Sequence, residues 1–181
     1  MIHRPIIGFG YFRDELRERR LRQRKKRSLG IFTPEINDMR WEETGDGFEY
    51  VHIHSTEILS CANMLVSAAT YIELGNDPEP QPAVIVDWVF DRLSADTQEF
   101  FLQHEIGHLK CGHLLQRDDF EKTKRSFSEE LEADEYAASV IGAQRAVTAL
   151  QQSGIYLRRL AFVRWDPTEF QLRIRVLQGC A

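Results

Sequence analysis

At 181 residues, 43% of them hydrophobic and 28% charged, the chain is long enough to bury a sizeable core, which excludes a disulfide-stapled miniprotein and a disordered tail. No apolar run reaches the roughly 18 residues of a membrane helix, and the N-terminal stretch reads as charged rather than as a secretory leader. Cys61, Cys111 and Cys180 cannot all pair and share no CxxC spacing, so a reduced, cytoplasmic setting is expected.

The net charge of −5 is uneven. Residues 13–27 carry nine basic and three acidic side chains, which leaves the rest of the chain strongly acidic. Residues 11–28 read as a charged helix ended by Gly30. Two readings of it stand: an exposed helix folded back on the acidic body, or an arm at 13–27 that binds an acidic partner or nucleic acid. Residues 31–47 contain Pro34, Gly45 and Gly47 and read as loop with some local helix. Residues 48–53 alternate as a short strand.

A wide apolar stripe from Ile58 to Ile72 predicts a core helix over about 56–74, stopped by Gly75. The stretch 83–90 (AVIVDWVF), apolar and β-branched, predicts a buried strand. Ser94 is placed to cap a helix running to about Leu115. Ser126 and Glu129 form a capping-box pattern that opens a helix predicted to reach Gln152 and stop at Gly154. Asp166-Pro167-Thr168-Glu169 starts a last short helix to about Leu177.

The chemistry concentrates in His104-Glu105-Ile106-Gly107-His108. Two imidazoles at i and i+4 share one helix face, as binding of one metal ion requires, with zinc the default. A carboxylate beside the first histidine is placed to act on a metal-bound water. The pair lacks a third ligand, and Glu130, on the next capped helix, is placed to supply it. Asp134 lies one turn beyond Glu130 on the same face, placed to accept the spare N–H of a ligand imidazole, His104 first. The small Ala133 permits the two helices to pack closely.

HEIGH followed by Glu130-Leu131-Glu132-Ala133-Asp134 resembles the gluzincin metallopeptidases, most of all the soluble minimal members of the CAAX-prenyl-protease type. His113, five residues after His108, also matches that pattern, and the resemblance covers about residues 83–177. At the C-terminal end, Asp166-Pro167 and Arg173-Ile174 stand where the family has a His-Pro and an Arg one position earlier. The resemblance implies an α+β, zincin-like fold: a small sheet packed on an active-site helix carrying HExxH and on a second ligand-bearing helix. It implies one Zn2+ per chain on His104, His108 and Glu130, with Glu105 as general base toward zinc-bound water and Asp134 and His113 supporting the ligands. Tyr136, Tyr156, His113 and Arg173 are candidate oxyanion donors. A protein or peptide substrate is expected to lie extended along strand 83–90.

The expected organisation is an N-terminal part, 1–82, packed on a peptidase body, 83–181. Three functions compete: a zinc endopeptidase, a regulatory peptidase similar to the ImmA type that cleaves a repressor or other specific partner, and a catalytically silent zinc-stabilised binding module. Asp134, where the ImmA type has Asn, favours the first, and an intact Glu105 disfavours the third. Cys111 reads either as a packed thiol or as a thiolate that occupies the open zinc position.

Overall fold

Residues 83–86 (AVIV) are buried on both faces, Ala83, Val84 and Val86 completely. A strand buried on both faces belongs in the middle of a sheet, and the computed structural model places it there. The structure describes residues 36–55, 66–72, 79–113, 126–157 and 166–179. Their elements are β1 (Ile36–Glu43), β2 (Glu49–Ser55), β3 (Ser67–Ile72), β4 (Gln81–Asp87), a 3-10 turn at Phe90–Arg92, and helices α1 (Ala95–Lys110), α2 (Phe127–Ile141), α3 (Ala143–Leu157) and α4 (Pro167–Gly179). The fold is α+β, with one mixed sheet of order β1-β2-β4-β3. The β1–β2 and β3–β4 pairs are antiparallel, and β2–β4 is parallel.

The two-residue period of β4 divides the core. Val84 and Val86 point to the helices and pack in a cluster with Phe100, Ile106, Ala137, Leu150 and Leu177. Ala83 and Ile85 point to the opposite face and join Val51, Ile53 and Ala68. Asp87 ends the strand, because its Oδ1 accepts from the Val89 and Phe90 N–H groups at 2.9 and 3.3 Å and turns the chain. Strand β4 therefore stops three residues short of the expected 83–90. With β2 and β3 on its two sides, its backbone has no open edge for a substrate. Among the described residues the outermost strand on that side of the sheet is β3.

Two further expectations are corrected. Residues 36–43 form β1 rather than loop with local helix, joined to β2 through a tight turn in which Gly47 adopts φ 84°. Residues 67–72 (SAATYI) form strand β3 rather than the end of a core helix. Its small side chains permit close pairing on β4, from Ser67 opposite Val86 to Ile72 opposite Gln81. The predicted helical stretch at 56–65 and the basic segment 13–27, with its acidic or nucleic-acid partner, lie outside the described residues.

The helices start as their caps predict. Ser94 Oγ accepts from the Thr97 N–H, and Asp166 Oδ1 accepts from the N–H groups of Thr168 and Glu169. Ser126 and Glu129 form a reciprocal capping box, with bonds of 3.2 and 2.7 Å. The helix opened by Ser126 does not run on to Gln152. Gly142, at φ 93° and ψ 135°, breaks it into α2 and α3, and Gly154 stays inside α3. Among the described residues no helix is long and apolar enough to cross a membrane. Replacing Ser126 by Ala should lower stability by about 1 kcal/mol, read as a reduced urea midpoint at constant slope. An unchanged midpoint would show that the capping box does not anchor α2.

Candidate active site

Helix α1 crosses α2 at its only glycine, Gly107. A Cβ there would lie 3.1 Å from the Cα and O of Ala133 and from the Tyr136 Cβ. Two of those neighbours are backbone, so a side chain at 107 forces the helices apart. Gly107 and Ala133 thus set the approach that brings the flanking positions of α1 and α2 face to face: His104 and His108 from one, Glu130 and Asp134 from the other.

At this crossing His104 and His108 turn their Nε2 atoms toward each other, 3.1 Å apart. Glu130 closes the group, with Oε2 3.3 Å from His104 Nε2 and Oε1 3.5 Å from His108 Nε2. One ligand atom from each of the three lies within 4.8 Å of the others, so the set is positioned to hold a metal ion. His104 donates from Nδ1 to Asp134 Oδ1 at 2.9 Å, which makes Nε2 the nitrogen that offers a lone pair to the group once the ring is neutral. Phe100, fully buried, forms a wall beside the His104 ring.

Arg173 of α4 reaches into the same place. It donates to both oxygens of Asp134 at 2.7 Å, and its Nη1 lies 3.3 Å from Glu130 Oε2. Glu105, Asp134 and Arg173 are at most 3% exposed, and the Glu130 side chain is 16% exposed. Arg173 touches two carboxylates and can offset only one, so Glu130 and Asp134 keep a net negative charge beside the two imidazoles, which favours a cation there.

The electrostatics of the protein chain alone reflect that excess. Burial opposes a charge on His104, but hydrogen bonds to Asp134 and Glu130, and their charges, outweigh it and hold the imidazole up at about 9. Burial acts to raise Glu130, but its bonds with His104 and His108 and the charges of His104 and Arg173 hold it well below the usual carboxylate range. Asp134 is lowered in the same way: burial opposes the shift, and the charge and hydrogen bonds of Arg173 outweigh it.

Glu105 faces the edge strand. Its Oε1 accepts from Ser67 Oγ and its Oε2 from the Ala69 N–H, both at 2.8 Å. No local signal in the sequence marks Ser67 or Ala69, because each meets Glu105 only through the strand order. His113 is buried and lies with Nδ1 2.8 Å from His108 Nδ1, while its Nε2 lies 3.1 Å from Glu132 Oε2. The exposed Glu132 extends the histidine cluster outward. Of the suggested oxyanion donors, Arg173 is engaged with Asp134 and Glu130. Tyr136 packs on Gly107 with the Lys110 ammonium 5.5 Å above its ring. The Tyr156 side chain lies outside the described residues. Cys111 is exposed and groups with His113 and Glu132 rather than with the His104 set. Burial and the Glu132 charge push its thiol up.

A buried cluster of histidines and carboxylates at a helix crossing, beside a sheet edge, is a hydrolase-type arrangement. The sequence match agrees: residues 51–165, well over half of the chain, match the family described as peptidase U49, and the chain belongs to that family. It is thus a member of a peptidase family, with peptide-bond hydrolysis as the implied activity and protein as the implied substrate. The matched region contains most of β2, HEIGH and the Glu130–Asp134 segment. No curated protein and no solved structure matches the chain.

Two substitutions test this construction. Arg173→Leu strands two buried carboxylates and should lower stability by roughly 3–5 kcal/mol in urea denaturation; a loss under about 1 kcal/mol would show that Arg173 is not their charge partner. Gly107→Ala should lower the melting temperature although alanine is the better helix former by about 1 kcal/mol. A higher melting temperature would mean that the helices are not in contact there.

Proposed function

We propose that this peptidase is a zinc-dependent endopeptidase of the gluzincin type on a zincin-like fold. In this reading His104, His108 and Glu130 hold the metal and Glu105 is the general base. The supporting observation is the convergence of two Nε2 atoms and one carboxylate in a net negative pocket, next to a separate carboxylate held by the sheet edge. Zinc bound there supplies a Lewis acid for the scissile carbonyl and lowers the pKa of its water toward about 7.

The roles of the protein groups follow from their contacts. Asp134 keeps the His104 proton on Nδ1, so that Nε2 is free to ligate. Arg173 orients both Asp134 and Glu130 and offsets part of their charge. Ser67 and the Ala69 N–H fix the two oxygens of Glu105. Glu105 takes a proton from the attacking water and returns it to the leaving amine. An extended substrate adds to β3, the edge strand, through backbone hydrogen bonds.

The purified protein is expected to carry about one zinc per chain. Glu105→Gln should retain that zinc and lose hydrolysis of a proteome-derived peptide library by at least about 10²-fold. Equal cleavage by wild type and variant, or a protein that binds no zinc, contradicts the proposal. To serve as a ligand His104 must give up the proton that it holds at about 9 in the metal-free chain. Below that pH, apparent zinc affinity should rise about tenfold per pH unit, for one proton released. An affinity that does not change with pH in this range contradicts His104 as a ligand.

A further inference from the structure

A second set of donors lies just past the end of α1. Cys111, His113 and Glu132 each offer one ligand atom, and these atoms lie within 4.8 Å of one another. The backbone builds the arrangement. The His113 N–H bonds to the His108 carbonyl at 3.1 Å and the Gly112 N–H to the Leu109 carbonyl at 3.2 Å, with Gly112 at φ 73°. This is a Schellman ending, and it folds His113 back under His108. His113 is buried, whereas Cys111 and Glu132 are exposed.

We propose that Cys111, His113 and Glu132 form a second, weaker site for a thiophilic divalent ion such as zinc or cadmium, and that an ion there antagonises the one held by His104, His108 and Glu130. The antagonism rests on the ligand assignment proposed above; the second donor set does not.

Thiolate, imidazole and carboxylate are all zinc ligands, and the sulfur selects soft and borderline ions over magnesium or calcium. Donors on one tetrahedral zinc stand about 3.3–3.8 Å apart. Closing from the observed spacing takes small rotations, which the exposed Cys111 and Glu132 side chains allow. Cys111 enters as thiolate and releases its proton to solvent.

Counting protons on the two imidazoles gives the antagonism. His108, ligating through Nε2, keeps its proton on Nδ1 and donates it to His113 Nδ1, 2.8 Å away. His113 then carries its own proton on Nε2 and donates it to Glu132 Oε2. An ion at His113 Nε2 needs that lone pair, so the proton moves to Nδ1. Two N–H groups then face each other, and either His113 turns away or His108 loosens from its metal. The coupling is reciprocal, so each ion weakens the other.

The test is a cobalt titration of the full chain, kept reduced, that follows the near-ultraviolet thiolate-to-cobalt charge-transfer band and peptide-library hydrolysis together. The first equivalent should bind without the thiolate band and support hydrolysis. Further cobalt should raise the band and lower the rate at least tenfold, with a common midpoint. Cys111→Ser, a change at an exposed position, should lose both the band and the inhibition and keep the activity of the first equivalent. Absence of the band at millimolar cobalt, its survival in Cys111→Ser, or equal inhibition of both proteins overturns the proposal. A band complete at the first equivalent overturns the antagonism by a different route, because it shows that the His104, His108 and Glu130 set is not the tighter site.

Discussion

Arg173 and the two buried carboxylates it binds, Glu130 and Asp134, are the constraint on which the centre of this protein depends. Glu130 and Asp134 come together with little access to water, and one guanidinium cannot balance both. In the metal-free chain His104 supplies part of the missing positive charge by holding its proton up to about 9. Isolated buried carboxylates would cost several kcal/mol each. The cluster is therefore organised for a cation, and its hydrogen bonds decide which atoms point at it. Asp134 fixes the outward nitrogen of His104, and Arg173 fixes Asp134.

That cluster exists because two helices approach closely and a sheet edge lies beside them. Gly107 on α1 meets the backbone at Ala133 on α2, so ligand-type side chains one position or one turn away on each helix converge. The strand order β1-β2-β4-β3 places β3 at the edge, where Ser67 and Ala69 meet Glu105. Interior packing is tight enough that a single methyl group at 107 is felt, which couples the fold directly to the geometry of the site.

Local rules explain what the sequence makes legible. The caps at Ser94, Ser126 and Asp166 obey signals within three residues, and α1 and α2 begin where those signals place them. The spacings His104–His108 and Glu130–Asp134 each define one helical face, and the structure brings the two faces together. Strands β1 and β3 were not legible in this way. SAATYI has small residues that suit a helical stripe, and only the unfilled side of β4 makes it a strand. Gly142 and Gly154 look alike in sequence, but only Gly142 adopts the positive φ that ends a helix. Arg173 reads from sequence as a donor to substrate; its actual partners, Asp134 and Glu130, become visible only when α4 packs on α2. Ser67, 38 residues from Glu105, carries no local sign at all.

The central claim is that the excess charge at the helix crossing is matched by one metal ion on two imidazoles and a carboxylate. X-ray absorption at the zinc edge, on protein loaded with one equivalent, tests it most directly. The account predicts a first shell of nitrogen and oxygen only, with the outer scattering of two imidazoles, reduced to one imidazole in His104→Gln. A sulfur atom in the first shell, or a spectrum unchanged by that substitution, would contradict it.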